Sequence, residues 1–323
     1  MLSRVADSIY WMSRFVERIE NLARLHEVTR NLQLDMPDEA TDVWQPIVNI
    51  TGDHEYFAKK YGVATEDSVF EFLTFDSEYP NSILSCISSA RENARSVRET
   101  ISSEMWEHLN DVYFTVHRAS KDPSVKENPS DFFEQVKMAS HLFKGITDAT
   151  MSHGEGWHFS RVGRLLERAD KTSRILDVKY YILLPSVQDV GTPADSLQWS
   201  ALLRSVSGFE MYRKRFHGLT PRRVIQFLVL DRDFPRAINH CVIAANESLH
   251  KISGSDATSF CNSAEQRMGQ LRSELAYILV DDIVNKGLHE FLDRLQSKLN
   301  SIGDSIYETF ITMRPVDDVA LVR

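Results

Sequence analysis

Glycine and proline are scarce in this 323-residue chain, at 13 and 10 residues, and that scarcity excludes a loop-rich architecture cut into many short elements. Alternating apolar and polar runs are missing too, so a sheet is not expected, and no glycine-rich phosphate loop follows a strand. The three cysteines, Cys86, Cys241 and Cys261, form no Cys-x-x-Cys pair, which excludes a disulfide framework and points to a reducing compartment. Basic charge is in deficit. A formal net charge of -9 opposes broad binding to nucleic acid, because phosphate contacts need clustered Lys and Arg. Long apolar runs are also absent: "YYILL" and "LAYILV" fall far short of a membrane span, and residues 1–20 lack the apolar core of a signal peptide. A cytoplasmic protein with neither nucleic-acid nor membrane partner is the expectation.

What the sequence does contain is apolar residues at spacings of three and four along most of its length, within a composition that is 42% hydrophobic and 26% charged. That pattern predicts an all-α chain with enough apolar surface for a large core. Helices are expected at 3–33, 39–60, 66–74, 80–101, 103–119, 130–152, 156–183, 194–217, 220–230, 235–252, 257–285 and 288–313. Thr220 before Pro221 has the form of an N-cap with proline at the first helical position, and Pro185 and Pro315 stand where a helix has ended.

The chain also repeats itself. "RFVERIENLAR" (14–24) and "RLLERADKTSR" (164–174) share R-x-x-E-R-x-[DE]-x-x-x-R at an offset of 150 residues. "FLTFDSEYPNSILSCISSARE" (72–92) matches "FLVLDRDFPRAINHCVIAANE" (227–247), pairing Asp76 with Asp231, Pro80 with Pro235 and Cys86 with Cys241 at an offset of 155. Trp44 and Trp199, Glu55 and Glu210, and Lys59 and Lys214 keep that offset. A constant spacing over this length implies tandem duplication. The expected architecture is a pseudo-symmetric helical bundle forming one domain over 1–323, with repeat 1 at about 1–153, repeat 2 at about 154–323, and a seam near "SHGEG".

At about 100° per residue, the first motif helix carries Met12, Phe15, Val16, Ile19 and Leu22 on one face, with Ser13, Arg14, Glu17, Asn21 and Arg24 opposite. The second places Arg164, Glu167, Lys171 and Arg174 likewise, with Arg18 and Arg168 at the borders. Two readings stand side by side. These are solvated faces with intrahelical pairs such as Glu20–Arg24 and Asp170–Arg174, or they form a buried or cleft-facing network that binds a ligand or locks the repeats together. Ser13 and Gly163 favour the second, since small residues let another helix approach closely.

Arg91, Arg95 and Arg98 form a stripe on one helical face, a fork suited to carboxylate or phosphate. The aligned positions in the second repeat are Asn246, His250 and Ser253, so the stripe exists once, as a single ligand site would require. Surface pairing with Glu92 and Glu99 is the alternative. Asp76 and Asp231 precede an aromatic-Pro step, where turn chemistry competes with a place beside the stripe. Cys86 and Cys241 are expected to be buried small hydrophobes. No metal is expected: His153, Glu155 and His158 lack the i, i+4 histidine spacing of a helical zinc site, and Glu104, Glu107 and His108 do not complete a di-iron set.

Taken together, "SRVADSIYWMSRFVERIENLARL", "FDSEYPNSILSCISSARENARSVRETISSEMWEHLN" and "FSRVGRLLERADKTSRILDVKYYIL", in that order, resemble the bacterial alpha-E domain family, which is all-helical and named for its Glu-Arg motif. The likeness runs over essentially the whole chain and puts the motif on Glu17-Arg18 and Glu167-Arg168. It implies partnership with a circularly permuted ATP-grasp ligase and a transglutaminase-like cysteine peptidase, in a pathway that makes, attaches or removes a peptide or amide modification.

The expected function is therefore that of an accessory or peptide-binding helical protein without a cofactor, taking a peptide or small anionic ligand. An enzyme of amide or peptide chemistry is the alternative, with Glu17 or Glu167 as general acid or base and Arg91 and Arg95 holding a carboxylate. A carboxylate between arginines has a lowered pKa and makes a poor base near neutrality. A purely structural interaction protein is the third reading. The site candidates are Glu17 and Glu167 for catalysis, and Arg14, Arg18, Arg164, Arg168, Arg91, Arg95, Arg98, Asp76 and Asp231 for binding. A single site is expected where Glu17 or Glu167 meets Arg91 and Arg95.

Overall fold

Residues 1–35, 43–182 and 193–312 are described by the computed structural model. Among them are sixteen α-helices and no strand. The first half of the chain holds α1 (Ser3–Asp35), α2 (Gln45–Thr51), α3 (His54–Tyr61), α4 (Glu66–Thr74), α5 (Ile83–Ser96), α6 (Ser103–Ala119), α7 (Pro123–Glu127) and α8 (Ser130–Thr150). The second holds α9 (Glu155–Ile182), α10 (Pro193–Ser205), α11 (Phe209–Arg215), α12 (Pro221–Ile225), α13 (Ile238–Ser253), α14 (Ser263–Tyr277), α15 (Val280–Lys286) and α16 (Leu288–Ile306). Short π-helical turns continue α12 over Gln226–Leu230 and α16 over Tyr307–Ile311.

Local sequence explains most boundaries. The hydroxyls of Thr65, Ser82, Ser102 and Thr220 each accept a backbone N–H of the first turn, which starts α4, α5, α6 and α12. Three expected helices are each broken in two. Gly52, at φ +82°, separates α2 from α3. Ser207, at φ +51°, ends the helix before Gly208 and α11, a left-handed turn that serine does not advertise. Ile278 and Leu279 are extended between α14 and α15. The expected positions 39–42, 183 and 313, with Pro185 and Pro315, lie outside the described residues. α7, a single turn capped by Asp122 ahead of Pro123, was not expected.

α1 and α9 lie together at the centre. α5 and α8 pack on α1, α13 and α16 pack on α9, α6 packs on α5 and α8, and α14 packs on α13 and α16. α2 reaches across to α9, and α10 to α1. The two central helices are buried on both faces: Ile9, Met12 and Ile19 on the apolar side, and also Ser13, Glu17, Glu20, Asn21 and Arg24 on the polar side. Each fully buried apolar side chain contributes roughly 1.5–3 kcal/mol. The polar stripe must find its partners inside the protein, because an unpaired charge there is far more costly. No described helix is long and apolar enough to cross a membrane.

Candidate functional site

The two Glu-Arg motifs answer each other across the central helices. Arg168 on α9 donates Nε to Glu17 Oε1 at 2.8 Å and Nη2 to Oε2 at 2.6 Å. Arg18 on α1 donates Nε to Glu167 Oε1 at 2.6 Å and Nη2 to Oε2 at 3.0 Å. Each glutamate is thus gripped by a two-pronged guanidinium from the other helix, the strongest geometry open to an ion pair. Arg14 adds Nε to Glu167 Oε2 at 2.8 Å. The carboxylate side chains of Glu17 and Glu167 are 1% and 0% exposed, so the solvated-face reading does not hold.

Small residues permit this approach. Ser13 Oγ and Ser160 Oγ lie 2.7 Å apart, and a Cβ added at Gly163 would stand 2.4 Å from the Tyr10 carbonyl oxygen. Met1 meets Glu155, Ser13 meets Ser160 and Glu17 meets Arg168, so partners advance together along the chain and the two helices run in the same direction. This is the close contact that Ser13 and Gly163 suggested in the sequence.

Around the crossing lies a wider network. Arg236, just before α13, donates Nη1 to Glu17 Oε1 at 3.2 Å and to Asn21 Oδ1 at 3.0 Å, and Nη2 to Glu20. Glu20 also takes Arg24 Nε at 2.9 Å and the Ser140 hydroxyl at 2.8 Å, with His141 Nε2 at 3.1 Å. Arg18 Nη1 reaches Asn81 Oδ1, and Asp170 pairs with Arg174 and Lys171. Burial alone would raise the carboxyl of Glu167, but Arg18, Lys171 and Arg14 override it and hold it well below the usual carboxylate range. Glu20 is lowered in the same way, against burial, by Arg236, His141 and Arg24. Burial would lower the guanidinium of Arg168, yet Glu17 raises it.

Arg164 stands apart. Its Nε is buried and has no hydrogen-bond partner among the described residues; burial and the neighbouring Arg168 lower its guanidinium below the ordinary value. It lines a small cavity of about 20 Å³ between α1, α8 and α9, shared with Ser13, Ser140, His141, Lys144 and Ser160.

The expected meeting of Glu17 or Glu167 with the arginine stripe does not occur. Arg91 donates Nε to Asn110 at 2.8 Å and lies 4.6 Å from the Tyr113 ring centroid. Arg95 pairs with Glu92, and Arg98 lies over Trp106. Aromatic rings of α6 take the cations of Arg91 and Arg98 while Arg95 is exposed, and Arg14, Arg18, Arg168 and Arg236 hold the motif carboxylates instead. Asp76 and Asp231 are turn residues. Each accepts two backbone N–H groups of its aromatic-Pro step, with Lys60 and Tyr61 on Asp76 and Arg215 on Asp231. Cys86 and Cys241 are buried, their thiols pushed up by burial to about 11 and about 12. His153 stacks on Trp157, and among the described residues no group of three His, Cys, Asp or Glu side chains stands close enough to hold a metal ion. Sequence reasoning missed Arg236, although its alignment with Asn81 exposed a charge gained in one half only. Ser140, His141 and Lys144, all on α8, carried no repeat signal.

Fold and site together define an all-helical domain whose Glu-Arg dipeptides, on two central helices, close on each other. The chain belongs to the Alpha-E family, described as a predicted alpha-helical domain with a conserved ER motif, whose sequence profile matches residues 1–311. It is 23% identical over 335 aligned positions to an uncharacterised protein of Mycobacterium bovis and, to the same degree, to uncharacterised proteins of Mycobacterium tuberculosis strains CDC 1551 and H37Rv. In each case the match covers 96% of this chain and 37% of the relative, so the chain spans little more than a third of those relatives' length. No solved structure matches it.

Proposed function

We propose that this chain is an accessory, peptide-binding module in the cytoplasm, working with a circularly permuted ATP-grasp ligase and a transglutaminase-like peptidase on a peptide or amide modification. One observation carries the choice of binding over catalysis: both motif carboxylates are closed off by two-pronged arginines from the opposite helix. A general base must reach its substrate and titrate near the working pH. Glu167 is fully buried and held well below the carboxylate range, which disfavours both conditions.

The module is a tandem duplication in this reading, and its two halves exchange their Glu-Arg partners. Support comes from the sequence offsets and from the order of packing. α1 with α5, α8 and α10 corresponds to α9 with α13, α16 and α2. The Glu-Arg crossing is then the lock that joins the copies. The named partners rest on the family resemblance. The relatives' greater length leaves room for a second activity beside the helical portion.

The test is co-purification of this chain with such a ligase, followed by ATP-dependent ligation with and without it. The proposal expects a stable complex and faster or more selective ligation when the chain is present. Turnover of a peptide or amide by this chain alone, abolished by Glu17→Gln at unchanged thermal stability, would contradict it.

A further inference from the structure

The cavity beside the Glu-Arg crossing presents cations that the protein itself does not neutralise. Arg164 lines it, and its buried Nε has no partner among the described residues. Lys144, on the opposite wall, forms no hydrogen bond or ion pair with any described residue, and its ammonium is lowered by burial and by Arg164 and Arg168. The two acids on the wall are spoken for. Glu17 is held by Arg168 and Arg236, and Glu20 by Arg24, Arg236 and Ser140. Asp148, the further acid acting on Arg164 and Lys144, accepts from Trp157 Nε1 at 3.2 Å.

The other half of the chain shows what this arginine does when satisfied. Arg14 occupies the position in the first motif that Arg164 occupies in the second, and its Nε donates to a carboxylate oxygen, Glu167 Oε2, at 2.8 Å. The corresponding carboxylate for Arg164 is Glu17, and it is turned to Arg168 and Arg236. Arg236 is the cause of the difference, because the aligned residue in the first half is Asn81, a neutral side chain that takes a bond from Arg18. One substitution between the halves thus draws Glu17 away and leaves Arg164 uncompensated.

We propose that the cavity between α1, α8 and α9 binds a carboxylate supplied by the ligand, with Arg164 Nε and Lys144 Nζ as its donors. The cavity is small, at about 20 Å³, and has room for a carboxylate head and not for a whole residue, so an Asp or Glu side chain or a peptide C-terminus enters end-on. His141, whose side chain is 49% exposed, also lines the cavity. Ser13, Ser140 and Ser160 add hydroxyls from the three helices that line it. This inference rests on the peptide-binding reading above and specifies which part of the peptide is gripped.

Acetate, acetamide and inorganic phosphate are the probes, titrated into the full chain while the arginine Nε–Hε resonances are followed by NMR. Acetate is expected to shift the Arg164 signal saturably, and acetamide to leave it unmoved. Loss of one charge-assisted bond should weaken acetate at least about tenfold in Arg164→Gln, with Lys144→Gln weakened too and Arg95→Gln, on the distant stripe, unaffected. Arg164 has no internal partner to lose, so the variant is expected to fold. If it does not, the wild-type comparison of acetate with acetamide still decides. Equal response to acetamide, preference for phosphate over acetate, or acetate binding unchanged in Arg164→Gln each overturns the proposal. Co-purification with the ligase separates the two readings. Loss of acetate binding in Arg164→Gln with the complex intact supports the carboxylate site and spares the accessory role, whereas wild-type acetate binding without any ligase complex sinks the accessory role alone.

Discussion

Arg168 meets Glu17 with both prongs of its guanidinium, at 2.8 and 2.6 Å, in a place where neither side chain is more than 8% exposed. A lysine there keeps the charge but offers a point donor where a fork is required. Arg168→Lys is therefore expected to cost about 1.5–3 kcal/mol, the value of a hydrogen bond to a charged group. Urea unfolding of the variant beside wild type measures it. An unchanged midpoint would mean that the fork geometry contributes nothing.

Gly163 sets how closely α1 and α9 approach, since an added Cβ would come within 2.4 Å of the Tyr10 backbone oxygen. Backbone cannot swing aside as a side-chain end can, so Gly163→Ala must push the helices apart. Such overpacking costs typically about 1–3 kcal/mol. Gly145→Ala on α8 is the contrast, because nothing lies within 4 Å of its added Cβ. That helical substitution is expected to be neutral or to stabilise by up to about 1 kcal/mol. Thermal melts of both variants should move in opposite directions, or only the first should move.

How much of this was legible in the sequence depends on the kind of signal. α4 and α6 fall on the expected 66–74 and 103–119 because hydroxyl caps and apolar spacing agree there. The break at Ser207 did not show, because a serine at φ +51° has no composition signature. In the site, Ser13 and Gly163 announced a close helix contact, and the duplicated motif announced two equivalent glutamates. The partner of each glutamate was not legible. Spacing along one helix favours Glu20–Arg24, which does form, whereas Glu17–Arg168 depends on how two helices 151 residues apart are registered. Arg91 misled for the same reason: its cation is taken by the rings of α6, a tertiary contact that no spacing on α5 reveals.

His26 is buried on α1 against Trp44, Phe70 and Phe133, and neither ring nitrogen has a hydrogen-bond partner among the described residues. Burial, with Arg30 adding to it, lowers its pKa from 6.5 to about 3. Between those values the unfolded chain binds a proton that the folded one refuses, so stability falls as pH falls through 6.5 and the loss continues towards 3. The slope from this group is at most about 1.4 kcal/mol per pH unit. Glu167 and Glu20 act in the same direction but only below their ordinary 4.5. His26→Phe should accordingly flatten the stability profile between pH 6.5 and 4.5. Persistence of the full slope in that variant would assign it to other groups.

Thiol reactivity should be confined to one cysteine. Burial raises the thiols of Cys86 and Cys241, and Cys261 is exposed. The thiolate is the reacting form. A disulfide reagent is expected to modify Cys261 promptly in the native protein and the other two only on unfolding, as peptide mapping would show. Prompt modification of Cys241 would contradict its burial.

The claim that the Glu-Arg motifs lock two helices together is tested most directly by a double-mutant cycle on Glu17→Gln and Arg168→Gln, read as unfolding free energy. Each single variant leaves a buried charge without its main partner and should lose about 3–5 kcal/mol. The double variant should lose less than their sum, with a coupling of about 1–3 kcal/mol across the 2.6 Å contact. Losses that add to within about 0.5 kcal/mol, the behaviour of independent sites, would contradict the lock.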